Sequence, residues 1–176
     1  MKKIIAFAGS NSSTSINHQL VTYAASLVEG AEVKLIKLTD YPLPIFSEDI
    51  EKSSGYPEAL AELLNEIKPQ DALIISVNEH NGGISSFFKN TLDWLSRIEL
   101  KFMEGKKILC LSTSPGKRGA VMALEYTKGV VPRYGGELVT SMSFPSFYEN
   151  FSEGKVTNQE LSEELTAAIK ALLESL

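Results

Sequence analysis

The sequence predicts a three-layer α/β domain, a five-stranded parallel sheet in the order 2-1-3-4-5 with helices on both faces. Three observations lead there. Strand-like apolar runs alternate with amphipathic helical runs along the chain, the pattern of successive βαβ units. Two runs, Ala72–Val77 and Lys107–Ser112, are largely apolar, as strands covered on both faces are. The loops after the first, third and fourth strands are the richest in Gly, Ser and Asn. In a doubly wound sheet those loops meet at the carboxyl ends of the strands, where ligands bind at the switch point between strands one and three.

The first strand is the apolar run Ile4–Ala8. A helix from about Ile16 to Val28 follows, with Leu20, Val21, Ala24, Leu27 and Val28 on one face and Gly30 placed to end it in a left-handed conformation. Strand two, about Glu32 to Leu38, carries Lys34 and Lys37 and suits an exposed edge. Thr39 to Tyr56 reads as a long loop, too apolar around Pro42, Leu43, Pro44, Ile45 and Phe46 to be a solvated linker. It is expected to pack on a neighbour or line a pocket.

Pro57 can start the next helix, whose stripe of Leu60, Leu63, Leu64 and Ile67 runs up to Pro69. After the third strand and the loop Asn78–Gly83, a helix from Ser85 or Ser86 to about Arg97 shows two apolar stripes, Phe88-Leu92-Leu95 and Phe87-Thr91-Trp94-Ile98. Either one face covers the sheet while the other meets a second subunit, or the two form one broad core face. Beyond the fourth strand a helix runs to about Val131 and is stopped by Pro132 and Gly135-Gly136. Strand five, about Glu137 to Ser143, is more polar and suits the opposite edge. The pair Thr157 and Glu160 announces the last helix as a capping box.

With 176 residues, residues 1–176 are expected to form a single domain. A formal charge of −5 argues against a nucleic-acid partner or an acidic membrane surface. The one cysteine, Cys110, lies in an apolar strand and reads as a small buried hydrophobe, so neither a disulfide nor a thiol nucleophile is expected. No apolar run approaches the roughly 20 residues that span a bilayer, and no signal-peptide pattern opens the chain, so a cytoplasmic location is expected. Two isolated histidines without H-x-x-x-H spacing predict no metal site.

The stretch Gly9-Ser10-Asn11-Ser12-Ser13-Thr14-Ser15-Ile16-Asn17 joins the first strand to the first helix. Gly9 permits a tight turn, the hydroxyls can donate hydrogen bonds, and the helix directs its free N–H groups at the loop, which makes a cradle for phosphate. The same residues also read as a connector that merely caps the helix. The loop is not G-x-G-x-x-G and lacks the G-K-[ST] ending of a nucleotide P-loop. Serine hydrolysis is disfavoured, because no G-x-S-x-G elbow is present. Taken together, the three loops describe a site for a phosphorylated planar cofactor.

Three motifs in register make the chain resemble the NADPH-dependent FMN reductases, the flavodoxin-like group that includes azobenzene, quinone and chromate reductases. The family's phosphate motif G-S-x-R-x-x-S-x-N reads here Gly9 to Asn17. Its P-E-Y-N-G loop and K-N-x-x-D-W helix read Asn78-Glu79-His80-Asn81-Gly82 and Lys89-Asn90-Thr91-Leu92-Asp93-Trp94. Its third loop reads Ser114-Pro115-Gly116-Lys117-Arg118-Gly119-Ala120.

The resemblance implies that Ser10, Ser12, Ser15, Ile16 and Asn17 hold an FMN phosphate. It implies that Asn78, Glu79, His80, Asn81 and Gly82 line the isoalloxazine, and that Ser114, Gly116 and Gly119 approach its pyrimidine edge. Ser12 stands where the family has Arg, and Asn78 and His80 where it has Pro and Tyr, so NADPH and NADH both remain open as donors. The implied activity is an NAD(P)H oxidoreductase that passes electrons through FMN to a small acceptor such as a quinone, free flavin or azo compound. No dedicated catalytic acid or base is expected, because the cofactor carries the chemistry. The alternative is a non-enzymatic FMN-binding electron carrier reduced by a protein partner. The family implies a homodimer or homotetramer, with the helix Phe87 to Trp94 and the proline loop near the contact.

Overall fold

The computed structural model describes all residues 1–176. Its sheet has five strands, β1 (Lys2–Ala8), β2 (Ala31–Leu35), β3 (Ala72–Val77), β6 (Lys107–Thr113) and β7 (Glu137–Phe144), all paired in parallel in the order β2-β1-β3-β6-β7. Two short antiparallel hairpins are separate from it, β4 (Glu79–His80) with β5 (Gly83–Ile84), and β8 (Phe151–Ser152) with β9 (Lys155–Val156). With the hairpin strands set aside, the order is the expected 2-1-3-4-5.

The helices are α1 (Ile16–Ser26), α2 (Glu48–Ser54), α3 (Glu58–Ile67), α4 (Ser86–Ile98), α5 (Val121–Val130), α6 (Phe147–Asn150) and α7 (Gln159–Glu174). Alternate residues along the central strands feed opposite faces, as the pleat requires. Ile5, Phe7, Leu73, Ile75, Ile108 and Cys110 pack with α3, α4 and α5; Ile4, Ala6, Ile74, Leu109 and Leu111 pack with α1 and α7. Every residue of β3 is buried, which is why its apolar run needs no alternation. Cys110 is fully buried, and burial pushes its thiol up to about 12, so it supplies no thiolate.

Several elements differ from expectation. Strand two ends at Leu35 and gives way to a turn of 3-10 helix at Leu38–Asp40, which points the chain away from the sheet edge. The loop 39–56 contains α2, capped by Ser47, whose Oγ accepts from the Asp49 N–H at 3.2 Å. The last helix is capped by Asn158, whose Oδ1 accepts from the Leu161 N–H, and not by Thr157. Thr157 instead leaves the β8–β9 hairpin, where its N–H donates to the Asn150 carbonyl.

The two stripes of α4 form one broad buried face, and Trp94 is not available for a subunit contact. The Trp94 side chain is fully buried, its Nε1–H donates to the Pro44 carbonyl at 2.8 Å, and the Phe46 ring meets it edge-on at 5.1 Å between centroids. Asn90 completes the clasp, donating to the Pro44 carbonyl at 2.9 Å and accepting from the Phe46 N–H at 2.8 Å. The apolar loop therefore packs on a neighbour as expected. It covers the stripe that the sequence left open to a partner.

Candidate functional site

At the carboxyl end of the sheet the loops after β1, β3 and β6 converge on a cleft of about 240 Å³. Of the sequence-predicted residues, Ser10, Ser12, Ser15, Ile16 and Asn17 line one side, Asn78, Glu79 and His80 a second, and Ser114 a third. Asn81 and Gly82 lie at the exposed tip of the β4–β5 hairpin, outside the cleft lining. Gly116 and Gly119 are also outside it. Thr14 and Pro115, which belong to the first and third loops as read from the sequence, also line the cleft, and Thr113 and Tyr148 line it without having been predicted. Tyr148, 71% exposed, comes from α6, which bends back because the Ser146 and Phe147 N–H groups donate to the Gly116 and Ser114 carbonyls. No local pattern announces that contact.

The first loop is built by short-range hydroxyl bonds. The Ser12 N–H donates to Ser10 Oγ, the Thr14 N–H to Ser12 Oγ, and Ser15 Oγ caps α1 by accepting from the His18 N–H. The N–H groups of Ile16 and Asn17 find no acceptor within the chain and face the cleft end of α1, where the helix dipole favours an anion. Ser15 thus does both things its sequence allowed. Its side chain caps, while the turn it closes presents free backbone donors.

Asn17 plays a different part from the one expected. Its side chain is buried and fully engaged, Oδ1 accepting from Ser76 Oγ at 2.8 Å and the Thr113 N–H at 3.1 Å, Nδ2 donating to the Thr113 carbonyl. It ties α1 to β3 and β6 and leaves only its backbone N–H for a ligand. Gly9, expected to permit a tight turn, is also needed because a Cβ there would meet the Phe88 ring at 2.7 Å. Ser85 Oγ donates to the Gly9 carbonyl at 2.6 Å, which fixes the start of the loop on α4.

The second loop is a tight hairpin with positive φ at both turn residues, Asn81 (53°) and Gly82 (79°), the Asn-Gly signature of a primed turn. Glu79 Oε2 accepts from the Met122 and Ala123 N–H groups at 2.9 and 3.2 Å, so its carboxylate caps α5 and locks this loop to the third. His80 is exposed, its Nε2 3.3 Å from Asn78 Nδ2. The other end of the Asn78 amide is the one buried side-chain polar atom in the protein without a hydrogen-bond partner. Such an orphan at the edge of a cleft fits a ligand that supplies its partner.

The third loop is tied to β6 and β7 by hydrogen bonds. The Gly119 carbonyl accepts from Ser112 Oγ and Ser143 Oγ, and the Arg118 carbonyl from Ser143 Oγ. Gly119 (φ 54°) lies so close to β7 that a Cβ would meet the Phe144 backbone at 2.9 Å, so it packs the loop and does not line the cleft. No lysine or arginine lines the cleft. A phosphate would be held by neutral donors, with a planar ring between the second and third loops.

The sequence profile of the NADPH-dependent FMN reductases matches residues 2–147. This chain belongs to that family. Among its relatives, the chain is 30% identical over 122 residues to an NAD(P)H-dependent FMN reductase of Pseudomonas aeruginosa, a match that covers 69% of this chain and 64% of that protein. It is 24% identical over 135 residues to the quinone reductase of Escherichia coli, covering 71% of each. The structure of FerB, a flavoenzyme NAD(P)H:(acceptor) oxidoreductase from Paracoccus denitrificans, superposes with a TM-score of 0.80 at 26% identity, over 99% of this chain and 96% of that one. The K-N-x-x-D-W helix has a structural role in this chain. Asn90 and Trp94 clasp the proline loop while Lys89 pairs with Asp93 at 2.6 Å. No helix is long and apolar enough to cross a membrane.

Proposed function

We propose that residues 1–176 act as one FMN-binding unit, an NAD(P)H-dependent oxidoreductase that reduces quinones, free flavin or similar small acceptors. The observation that carries this reading is the cleft where three loops meet, with free backbone donors at one end and the orphaned Asn78 amide at the other. The N–H groups of Ile16 and Asn17, with the hydroxyls of Ser10 and Ser12, hold the phosphate. Asn78 takes a polar edge of the flavin or its ribityl chain, and Ser114 with the backbone of the third loop borders the ring. FMN, when bound, supplies the chemistry, accepting a hydride from the nicotinamide and passing electrons to the acceptor. The chain orients the ring, and the Glu79 cap keeps the second and third loops at a fixed separation. No side chain in the cleft is required to move a proton.

We place the protein in the cytoplasm and as a homodimer or homotetramer. With Trp94 buried, the exposed apolar side chains that support self-association include Ile45 of the proline loop, 75% exposed, and Met122 and Tyr126 of α5, 50% and 40% exposed.

The test is the visible absorbance spectrum with added FMN, followed by anaerobic NADH or NADPH. Flavin bands that form and then bleach are the expected result. Bound flavin that resists both nucleotides would mean a carrier reduced by a protein partner, and no flavin uptake would overturn the reading.

A further inference from the structure

A second cavity, of about 450 Å³, lies on the opposite flank of the first loop. Ser10, Ser12, Thr14 and Ser15 line both cavities, so the loop is a shared wall. The far side is the turn after β2, with Lys37 and Asp40, and His18 of α1 stands between. Only two of the 13 lining residues are apolar, so the space suits a hydroxylated, charged group and not a quinone ring.

The charges here are free. Lys37 and Asp40 form no ion pair, whereas Lys89, the lysine of the cavity beside His80, is held by both Asp93 oxygens at 2.6 and 2.8 Å. The cleft between the three loops has no cation at all. Burial and the neighbouring Lys37, opposed by Asp40, lower the proton affinity of His18 and so disfavour a second cation beside the lysine. In a chain of formal charge −5, a polyanionic donor needs such a local cation.

Building on the oxidoreductase reading above, we infer that this cavity is a phospho-sugar subsite in which Lys37 holds the 2′-phosphate of NADPH and Asp40 accepts from a ribose hydroxyl. A phosphate monoester on a lysine makes charge-assisted hydrogen bonds that the bare hydroxyl of NADH cannot match. Lys37 is then the residue that sets donor preference.

The experiment is a calorimetric titration of FMN-saturated protein, whose flavin phosphate site is already filled, with adenosine 2′,5′-bisphosphate, 5′-AMP and inorganic phosphate. Wild type should prefer the bisphosphate over 5′-AMP by about tenfold or more, the scale of one charge-assisted contact. Lys37→Gln should abolish the preference and Lys37→Arg retain it, with FMN affinity unchanged in both. In turnover, Lys37→Gln should raise KM for NADPH about tenfold while leaving kcat and KM for NADH within about twofold. Equal binding of the two nucleotides by wild type, or a preference that survives Lys37→Gln, overturns the inference. Inorganic phosphate bound as tightly as the bisphosphate also overturns it and marks a free-anion site. Should the protein take up no flavin, the oxidoreductase reading and the donor role fall with it, and the titration repeated on flavin-free protein still decides the phosphate contact by whether the bisphosphate preference is lost in Lys37→Gln.

Discussion

Replacing Asn17 by Ala removes the one side chain that ties α1 to two central strands at the floor of the cleft. Asn17 is 2% exposed, and its partners Ser76 and Thr113 are equally sealed from water. Three hydrogen bonds of 2.8, 3.1 and 3.1 Å are lost. At about 1 kcal/mol each, with more where a buried group is left unpaired, the cost is about 3 kcal/mol. For a chain of this size that is a fall in Tm of roughly 6–12 °C. Asn17→Asp keeps the shape but turns the Nδ2 donor into an acceptor facing the Thr113 carbonyl, so it should be at least as harmful. The assay is urea denaturation of the flavin-free protein followed by linear extrapolation. Ser12→Ala is the control. Ser12 is exposed and bonded only within its own loop, so its loss should stay within about 0.5 kcal/mol. A loss below about 1 kcal/mol for Asn17→Ala would refute the reasoning and return the amide to the ligand site.

Two other outcomes follow from the geometry. Gly119→Ala places a Cβ 2.5 Å from Ser143 Oγ and 2.9 Å from the Phe144 backbone at a positive φ, so the third loop must shift. FMN fluorescence quenching should show affinity weakened about tenfold or more, and an unchanged Kd would mean that the loop's position is not needed for binding. His18 titrates below its ordinary 6.5 because of burial first and Lys37 second. The unfolded chain therefore takes up its proton more readily, so this part of the stability is present above about pH 6.5 and is lost as pH falls through the folded value. His18→Gln should flatten that segment of the pH–stability profile; equal slopes in the two proteins would assign the effect to other groups.

The sequence by itself determined the sheet and the position of the cleft. A run such as Ala72–Val77 has no polar face to show to water, so it must lie under helices on both sides, and strict alternation with amphipathic helices joined by right-handed crossovers narrows the windings to a few, of which the expected order 2-1-3-4-5 is one. That winding brings the loops after β1, β3 and β6 to one end, which is why motifs far apart in the chain could be read as a single site. The Asn81-Gly82 turn was also written locally, since both residues tolerate the left-handed region it needs.

Tertiary structure alone decided which polar side chains remain free for a ligand. Periodicity marks apolar faces of α4 but not what covers them, and the covering body was the chain's own proline loop, held by Trp94 and Asn90. Whether Asn17 faces a phosphate or a strand depends on a residue 96 positions away, and whether Asn78 is satisfied depends on every group around it. Hydrogen-bond satisfaction is a property of the packed neighbourhood, and no window of sequence contains that neighbourhood.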